Sequence, residues 1–219
     1  LTTVKLDCVI KEPKSQADAA VIWLHGLGAD GNDFAGIAAQ LQPVSASTRF
    51  IFPHAPVRPV TINGNMPCRA WFDIYSLTNF KHQDMAGIAR AEQSILQLVE
   101  LQLEQGIKAD RIIVAGFSQG GALALSLACR YPKKIAGAIG LSTYLPGASL
   151  TTNANNDSLP VFLAHGRADE VLPCFLAKET ISVLKQYNCD ITWHEYDMAH
   201  EVCANEIHDI KSWLQGVFS

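Results

Sequence analysis

The clearest chemical signal in this chain is Gly116-Phe117-Ser118-Gln119-Gly120-Gly121. It fits the pattern G-x-S-x-G, follows the apolar run Ile112-Ile113-Val114-Ala115 and opens a helical pattern. That strand, turn and helix setting is the one in which such a serine serves as a nucleophile. The reason is steric. A strand turning sharply into a helix forces the serine into a strained backbone conformation and projects its hydroxyl at the C-terminal edge of a sheet. The neighbours at 116 and 120 must then be nearly free of side chain. The first turn of the helix aims unpaired N–H groups, that of Gln119 foremost, at an oxyanion forming beside Ser118. A serine in an ordinary glycine-rich turn is the bland alternative, and the strand before it and the helix after it speak against it.

A serine hydroxyl needs a base to take its proton, and the base needs an orienting carboxylate. In this architecture they follow in the order serine, acid, histidine, each in a loop after a strand. The run 161–164 leads into His165-Gly166-Arg167-Ala168-Asp169, which makes Asp169 the acid candidate. The run 191–196 leads into Asp197-Met198-Ala199-His200, which makes His200 the base candidate. The other histidines fit less well: His194 lies within a strand pattern, His208 on the last helix and His82 ahead of the acid loop. Asp197 is too close to His200 in a tight loop to aim at its ring, and it reads with Asp157 as a surface charge.

A second glycine cluster, Gly26-Leu27-Gly28-Ala29-Asp30-Gly31, matches the dinucleotide fingerprint G-x-G-x-x-G. That chemistry also needs an acid at the end of the next strand for the ribose hydroxyls. The strand ends Phe52-Pro53-His54 and supplies none. A glycine turn after the strand that precedes the first helix fits a different role, the second oxyanion donor, here the backbone N–H of Leu27. His194-Glu195 and His200 do not keep the H-E-x-x-H spacing of a zinc helix. Neither a cofactor nor a metal is therefore expected. A nucleotide-binding oxidoreductase and a non-catalytic binding protein on a hydrolase scaffold are the competing function classes.

These loops need a scaffold. The chain has 219 residues, 48% hydrophobic and 17% charged, which excludes bulk disorder and suffices for one large core. A net charge of -4 offers no basic field for nucleic acid. No apolar run is long enough to span a membrane, and Leu1-Thr2-Thr3-Val4-Lys5 carries no secretion pattern. Cysteines at 8, 68, 129, 174, 189 and 203 make no C-x-x-C pair and read as buried free thiols, which favours a reducing, cytoplasmic compartment. Strand patterns at 4–10, 20–24, 49–52, 111–115, 136–141, 161–164 and 191–196 alternate with helical patterns at 84–105, 119–131, 176–187 and 201–217. Several strands are apolar on both faces, as in a parallel sheet covered by helices. The stretches 53–66 and 149–160 read as excursions at the sheet edge. One α/β domain over residues 1–219 is the expectation.

Beyond single motifs, the chain resembles the phospholipase/carboxylesterase family that includes the acyl-protein thioesterases. The segments that carry the likeness are Val21-Ile22-Trp23-Leu24-His25-Gly26-Leu27-Gly28, Phe52-Pro53-His54-Ala55-Pro56-Val57-Arg58-Pro59-Val60-Thr61, Ala70-Trp71-Phe72-Asp73-Ile74, Gly116 to Ala122, and Met198-Ala199-His200-Glu201. The resemblance implies an α/β-hydrolase fold, with a mostly parallel sheet, helices on both faces and no large lid. It also implies cofactor-free hydrolysis, a triad on Ser118, Asp169 and His200, and an oxyanion hole from Leu27 and Gln119. The expected substrates are small-molecule esters or acylated substrates: short- to medium-chain esters, thioesters or lysophospholipids. By analogy with the family, two copies pair as a homodimer. Among apolar residues near the loops (Met66, Trp71, Phe72, Tyr144, Leu145, Leu172), the substrate-binding candidates are Trp71, Met66 and Leu172. Core packing is the rival reading for Phe72 and Leu145. Two departures bear on substrate choice. Arg167 and Glu170 stand in the acid loop, and Met66 to Trp71 is two residues longer than the thioesterase form Met-Pro-Ser-Trp.

Overall fold

The computed structural model describes residues 5–43, 45–80, 82–147 and 158–219. Val4 of the first expected strand, Asp157 and most of the 149–160 excursion lie outside them. Seven strands form one sheet: β1 (Cys8–Lys11), β2 (Ala19–Leu24), β3 (Thr48–Pro53), β6 (Ile112–Phe117), β7 (Gly137–Leu141), β8 (Pro160–Gly166) and β9 (Asp190–Tyr196). The spatial order is β1-β3-β2-β6-β7-β8-β9. Only β1 runs antiparallel, against β3, and every other neighbour is parallel. The proline-rich excursion after β3 forms a small antiparallel pair, β4 (Val57–Pro59) with β5 (Pro67–Arg69).

Alternation along the central strands builds a core on each face, because successive side chains point to opposite sides. On β2, Ala20, Ile22 and Leu24 join Ile112 and Val114 of β6 in one cluster. Ala19, Val21 and Trp23 join Ile113 and Ala115 in the other. The first face is covered by α3 (Met85–Glu104), α4 (Gln119–Arg130) and α5 (Phe175–Gln186), through residues such as Ile88, Ile95, Leu123 and Leu184. The second is covered by the short α1 (Asn32–Ala35) and α2 (Ala38–Leu41) and by α6 (Ala204–Val217), through Leu41, Ile210 and Leu214. Ile88, Ala91, Ile95 and Val99 line the buried face of α3. Its start is fixed by Asp84, whose carboxylate accepts from the Gly87 N–H at 2.8 Å, and Gly106, at φ +91°, follows its end.

Two expectations need correction. The last helix starts at Ala204 and not at 201, because residues 200–203 form the loop that carries His200. None of the six cysteines forms a disulfide, but only Cys129 is buried and the other five are half-buried.

Glu206 is a more telling feature of α6. Its carboxylate is fully buried and neither oxygen has a hydrogen-bond partner among the described residues. Burial pushes it up to about 8, against the nearby Cys203 amide and with the help of the Asp209 charge. An acid raised above its ordinary value of 4.5 holds its proton more tightly in the fold. The associated stability is complete below that value and is lost as the pH climbs toward about 8. Glu206→Gln should therefore melt above the parent protein at about pH 9, by about 2 kcal/mol or more, with the gap closing toward about pH 5. Melting curves that stay parallel across that range would contradict this account.

Candidate active site

Three loops at the C-terminal ends of β6, β8 and β9 meet at one point. At the end of β6 the chain turns through Ser118, whose φ of 53° and ψ of -120° lie where residues with a side chain are rarely found. Such a conformation costs about 1–3 kcal/mol and persists only when its surroundings fix it. Here the Ser118 N–H donates to the Leu141 carbonyl at 2.9 Å, and the Ser118 carbonyl accepts from the Ala122 N–H at 3.0 Å. The Thr143 hydroxyl donates to the same carbonyl at 2.7 Å. The glycines on either side are there for room. A Cβ on Gly116 would lie 2.3 Å from the Gly120 carbonyl carbon, and one on Gly120 would lie 2.3 Å from the Leu24 oxygen.

His200 Nε2 is 2.9 Å from Ser118 Oγ, and His200 Nδ1 is 2.7 Å from Asp169 Oδ2. A carboxylate accepts, so the proton belongs on Nδ1 and the Nε2 lone pair faces the serine hydroxyl. Asp169 Oδ1 accepts from the Val171 and Leu172 amides at 2.9 and 2.8 Å. Burial alone would raise the Asp169 carboxyl. The hydrogen bonds from His165, His200 and the Leu172 amide outweigh burial and hold it well below the usual carboxylate range. Phe117 packs against the His200 ring, with centroids 4.8 Å apart.

Leu27 and Gln119 both border the cavity beside Ser118. The Gly26 turn comes close enough that a Cβ there would lie 3.5 Å from Ser118 Cβ. What meets the end of the glycine cluster is His54, whose Nδ1 accepts from the Gly31 N–H at 3.1 Å. The turn is braced by groups that motif reading did not single out. The buried His25 ring donates from Nδ1 to the Gly26 carbonyl at 2.7 Å and accepts at Nε2 from the Ala55 N–H at 3.0 Å. Burial lowers its pKa, which keeps the ring neutral. The Gln119 side chain accepts from the Trp71 N–H at 2.9 Å and donates to the Phe72 carbonyl at 2.8 Å. Loop position in the sequence marks neither His25 nor the Gln119 amide. Only the partners do.

The cavity of about 340 Å³ that opens at Ser118 is mostly apolar, with Ile62, Ile74, Leu77, Phe80, Tyr144 and Leu172 on its walls. Leu172 thus stands where the sequence expects a substrate contact. Trp71 does not. It is 2% exposed, and its Nε1–H donates to the His25 carbonyl at 2.9 Å beneath the Gly26 turn. Met66 is 67% exposed at the β4–β5 hairpin and does not border the cavity either. Phe72 is core. Arg167 points away from the cavity into ion pairs with Asp197 at 2.5 Å and Glu195 at 3.5 Å, so this departure does not shape the groove.

The sequence profile of the phospholipase/carboxylesterase family matches residues 6–218. Acyl-protein thioesterase 1 of Yarrowia lipolytica is 36% identical over 213 residues, 92% of this chain and 93% of that protein. Acyl-protein thioesterase 1 of Schizosaccharomyces pombe is 37% identical over 185 residues, 83% of this chain and 82% of that one. The crystal structure of Zea mays acyl-protein thioesterase 2 superposes with a TM-score of 0.86 at 28% identity, covering 97% of this chain and 99% of that one. The sheet with its single antiparallel edge is the α/β-hydrolase fold, and the activity class is that of an esterase-type serine hydrolase. Likeness along nearly the whole of both partners leaves one placement: this chain belongs to the phospholipase/carboxylesterase family.

Proposed function

We propose that the protein, as a single domain over residues 1–219, hydrolyses carboxylic esters and thioesters of short to medium acyl chains through an acyl-enzyme on Ser118. The observation that carries this reading is the unbroken contact from Ser118 Oγ through both His200 nitrogens to Asp169, at the end of an apolar cavity. In this reading Ser118 attacks the acyl carbon while His200 Nε2 takes the hydroxyl proton. His200 then passes that proton to the leaving oxygen or sulfur. Asp169 holds the ring in the tautomer that can accept and stabilises it once charged. The Leu27 and Gln119 amides receive the oxyanion, one such donor being worth about 3 kcal/mol of barrier. Water repeats the sequence on the acyl-enzyme. A cavity of about 340 Å³ is at the small end for ligand pockets and suits an acyl chain better than a whole lipid.

A second reading, removal of S-acyl groups from proteins, is favoured by relatives that are acyl-protein thioesterases. No helix among the described residues is long and apolar enough to cross a membrane. Cysteines without disulfides suit the cytoplasm as the working compartment. Leu77 and Val171, 40% and 44% exposed at the cavity, are apolar surface through which a homodimer would form.

The test is intact mass after exposure to a fluorophosphonate, with peptide mapping of the adduct. One adduct on Ser118, absent in His200→Ala, is the expected result. A folded, monodisperse protein that takes no label would overturn the hydrolase mechanism and favour a binding protein. Ester and thioester panels of increasing chain length then separate the two readings.

A further inference from the structure

We propose that His165, which lies outside the serine, histidine and acid relay, is a positioning residue that fixes the Asp169 carboxylate by donating from Nε2 while its ring stays neutral. This rests on the reading of Asp169 as the orienting acid. His165 is fully buried near the end of β8, a strand paired on both sides, so its ring has a rigid mount. Its Nε2 is 2.6 Å from the Leu172 carbonyl oxygen and 3.3 Å from Asp169 Oδ2. A carbonyl and a carboxylate can only accept, so Nε2 carries a proton, directed at the Leu172 carbonyl with the Asp169 carboxylate as its second, longer contact.

The other nitrogen decides the charge. His165 Nδ1 is buried and has no hydrogen-bond partner among the described residues. A proton there would bury an unpaired donor together with a cation, which is costly. The ring is therefore the neutral Nε2–H tautomer. Neutrality has a chemical purpose. A cation at this place would compete with His200 for the Asp169 charge at the moment the His200 ring becomes positive. A neutral N–H steers the carboxylate without consuming that charge.

Three hydrogen bonds hold Asp169, from the Val171 and Leu172 amides on Oδ1 and from the His200 ring on Oδ2, and His165 Nε2 stands 3.3 Å from the same Oδ2. Because His165 also holds the Leu172 carbonyl, it braces the acid loop at the residue that closes the turn around Asp169 and borders the cavity. The acid and base loops touch just here. The Arg167 and Ala168 amides donate to the Tyr196 and Met198 carbonyls at 2.9 and 3.1 Å. A Cβ on Gly166 would lie 2.2 Å from the Ala199 oxygen. A carboxylate allowed to rotate between these loops would present its oxygen to His200 at the wrong angle, and misplacement of that order costs up to about 100-fold in rate.

The experiment compares His165→Phe, His165→Asn and His165→Gln in the full chain. Phe keeps the ring shape without a donor, Asn places its amide near the Nδ1 position, and Gln places its amide near Nε2. Turnover of an activated short-chain ester should fall about 10- to 100-fold in the Phe and Asn variants, with KM within about threefold of the parent. The Gln variant should recover most of the loss. The strongly downfield proton resonance of the His200–Asp169 hydrogen bond should shift in the Phe and Asn variants and return in Gln. If the Phe variant does not fold, the Asn and Gln pair carries the same comparison. An unchanged resonance with parental turnover, or equal losses in all three variants, overturns the proposal. Failure of the parent to label at Ser118 would instead overturn the hydrolase reading, and the resonance comparison would still decide the contact between His165 and Asp169.

Discussion

Ser118→Ala is expected to lower kcat on any accepted ester by about 10⁴-fold or more, with KM nearly unchanged. On the proposed mechanism the hydroxyl forms the covalent bond, and it contributes little to holding the substrate in the ground state. His200→Ala should cost about as much, because a serine hydroxyl without its base is hardly a nucleophile. The double variant should be no worse than either single one. Residues that act on one proton fail as a unit, so their losses do not add. What rate remains comes from the cavity and the oxyanion amides, which both substitutions leave in place. Stopped or continuous assays on all three variants settle the matter: losses that multiply in the double variant would mean that Ser118 and His200 act independently.

Asp169→Asn should produce the second largest loss, about 10³- to 10⁴-fold in kcat, with the fold intact. The amide oxygen can replace Oδ1 as acceptor for Val171 and Leu172, so the loop keeps its turn. The NH₂ then faces His200 Nδ1 at the position where Oδ2 now accepts at 2.7 Å. A donor there forces the ring to carry its proton on Nε2, pointing at Ser118, where a lone pair is required. His165 Nε2–H would face the same NH₂, so a second ring is opposed by the change. Retention of more than a tenth of the parental kcat in a folded variant would rule out the tautomer argument.

The parts of this molecule set by local rules are legible in its sequence, and the parts set by orientation are not. Nearly unbroken apolar runs at 20–24 and 111–115 identify central strands because both faces of a covered parallel sheet must be apolar. The strands expected to end at 115 and 164 run two residues further, to Phe117 and Gly166, since pairing with neighbours continues into the turns. The meeting of Ser118, Asp169 and His200 is legible because an elbow requires glycine at fixed offsets and strand-end loops occur in a fixed order. Trp71 shows the limit. Its loop is adjacent to the site, yet the indole N–H finds the His25 carbonyl and the ring turns inward. Ile62, Ile74, Leu77 and Phe80 take the wall it was expected to form, and no periodicity marks them, because they come from a single 3-10 turn and irregular chain between β4 and α3. His165 is part of a visible motif, but only coordinates reveal that its ring faces the acid.

The burial of α4 has one more consequence. From Gln119 to Cys129 every residue of that helix is buried, and its positive end points at Ser118. Mobile ions screen charges that water surrounds, and they do not enter such packing. On the proposed mechanism, the helix field that would receive the oxyanion is therefore only weakly screened by salt. Salt that changes the rate would then act on how a charged substrate approaches exposed residues such as Asp33 and Glu170, more than on acylation at Ser118.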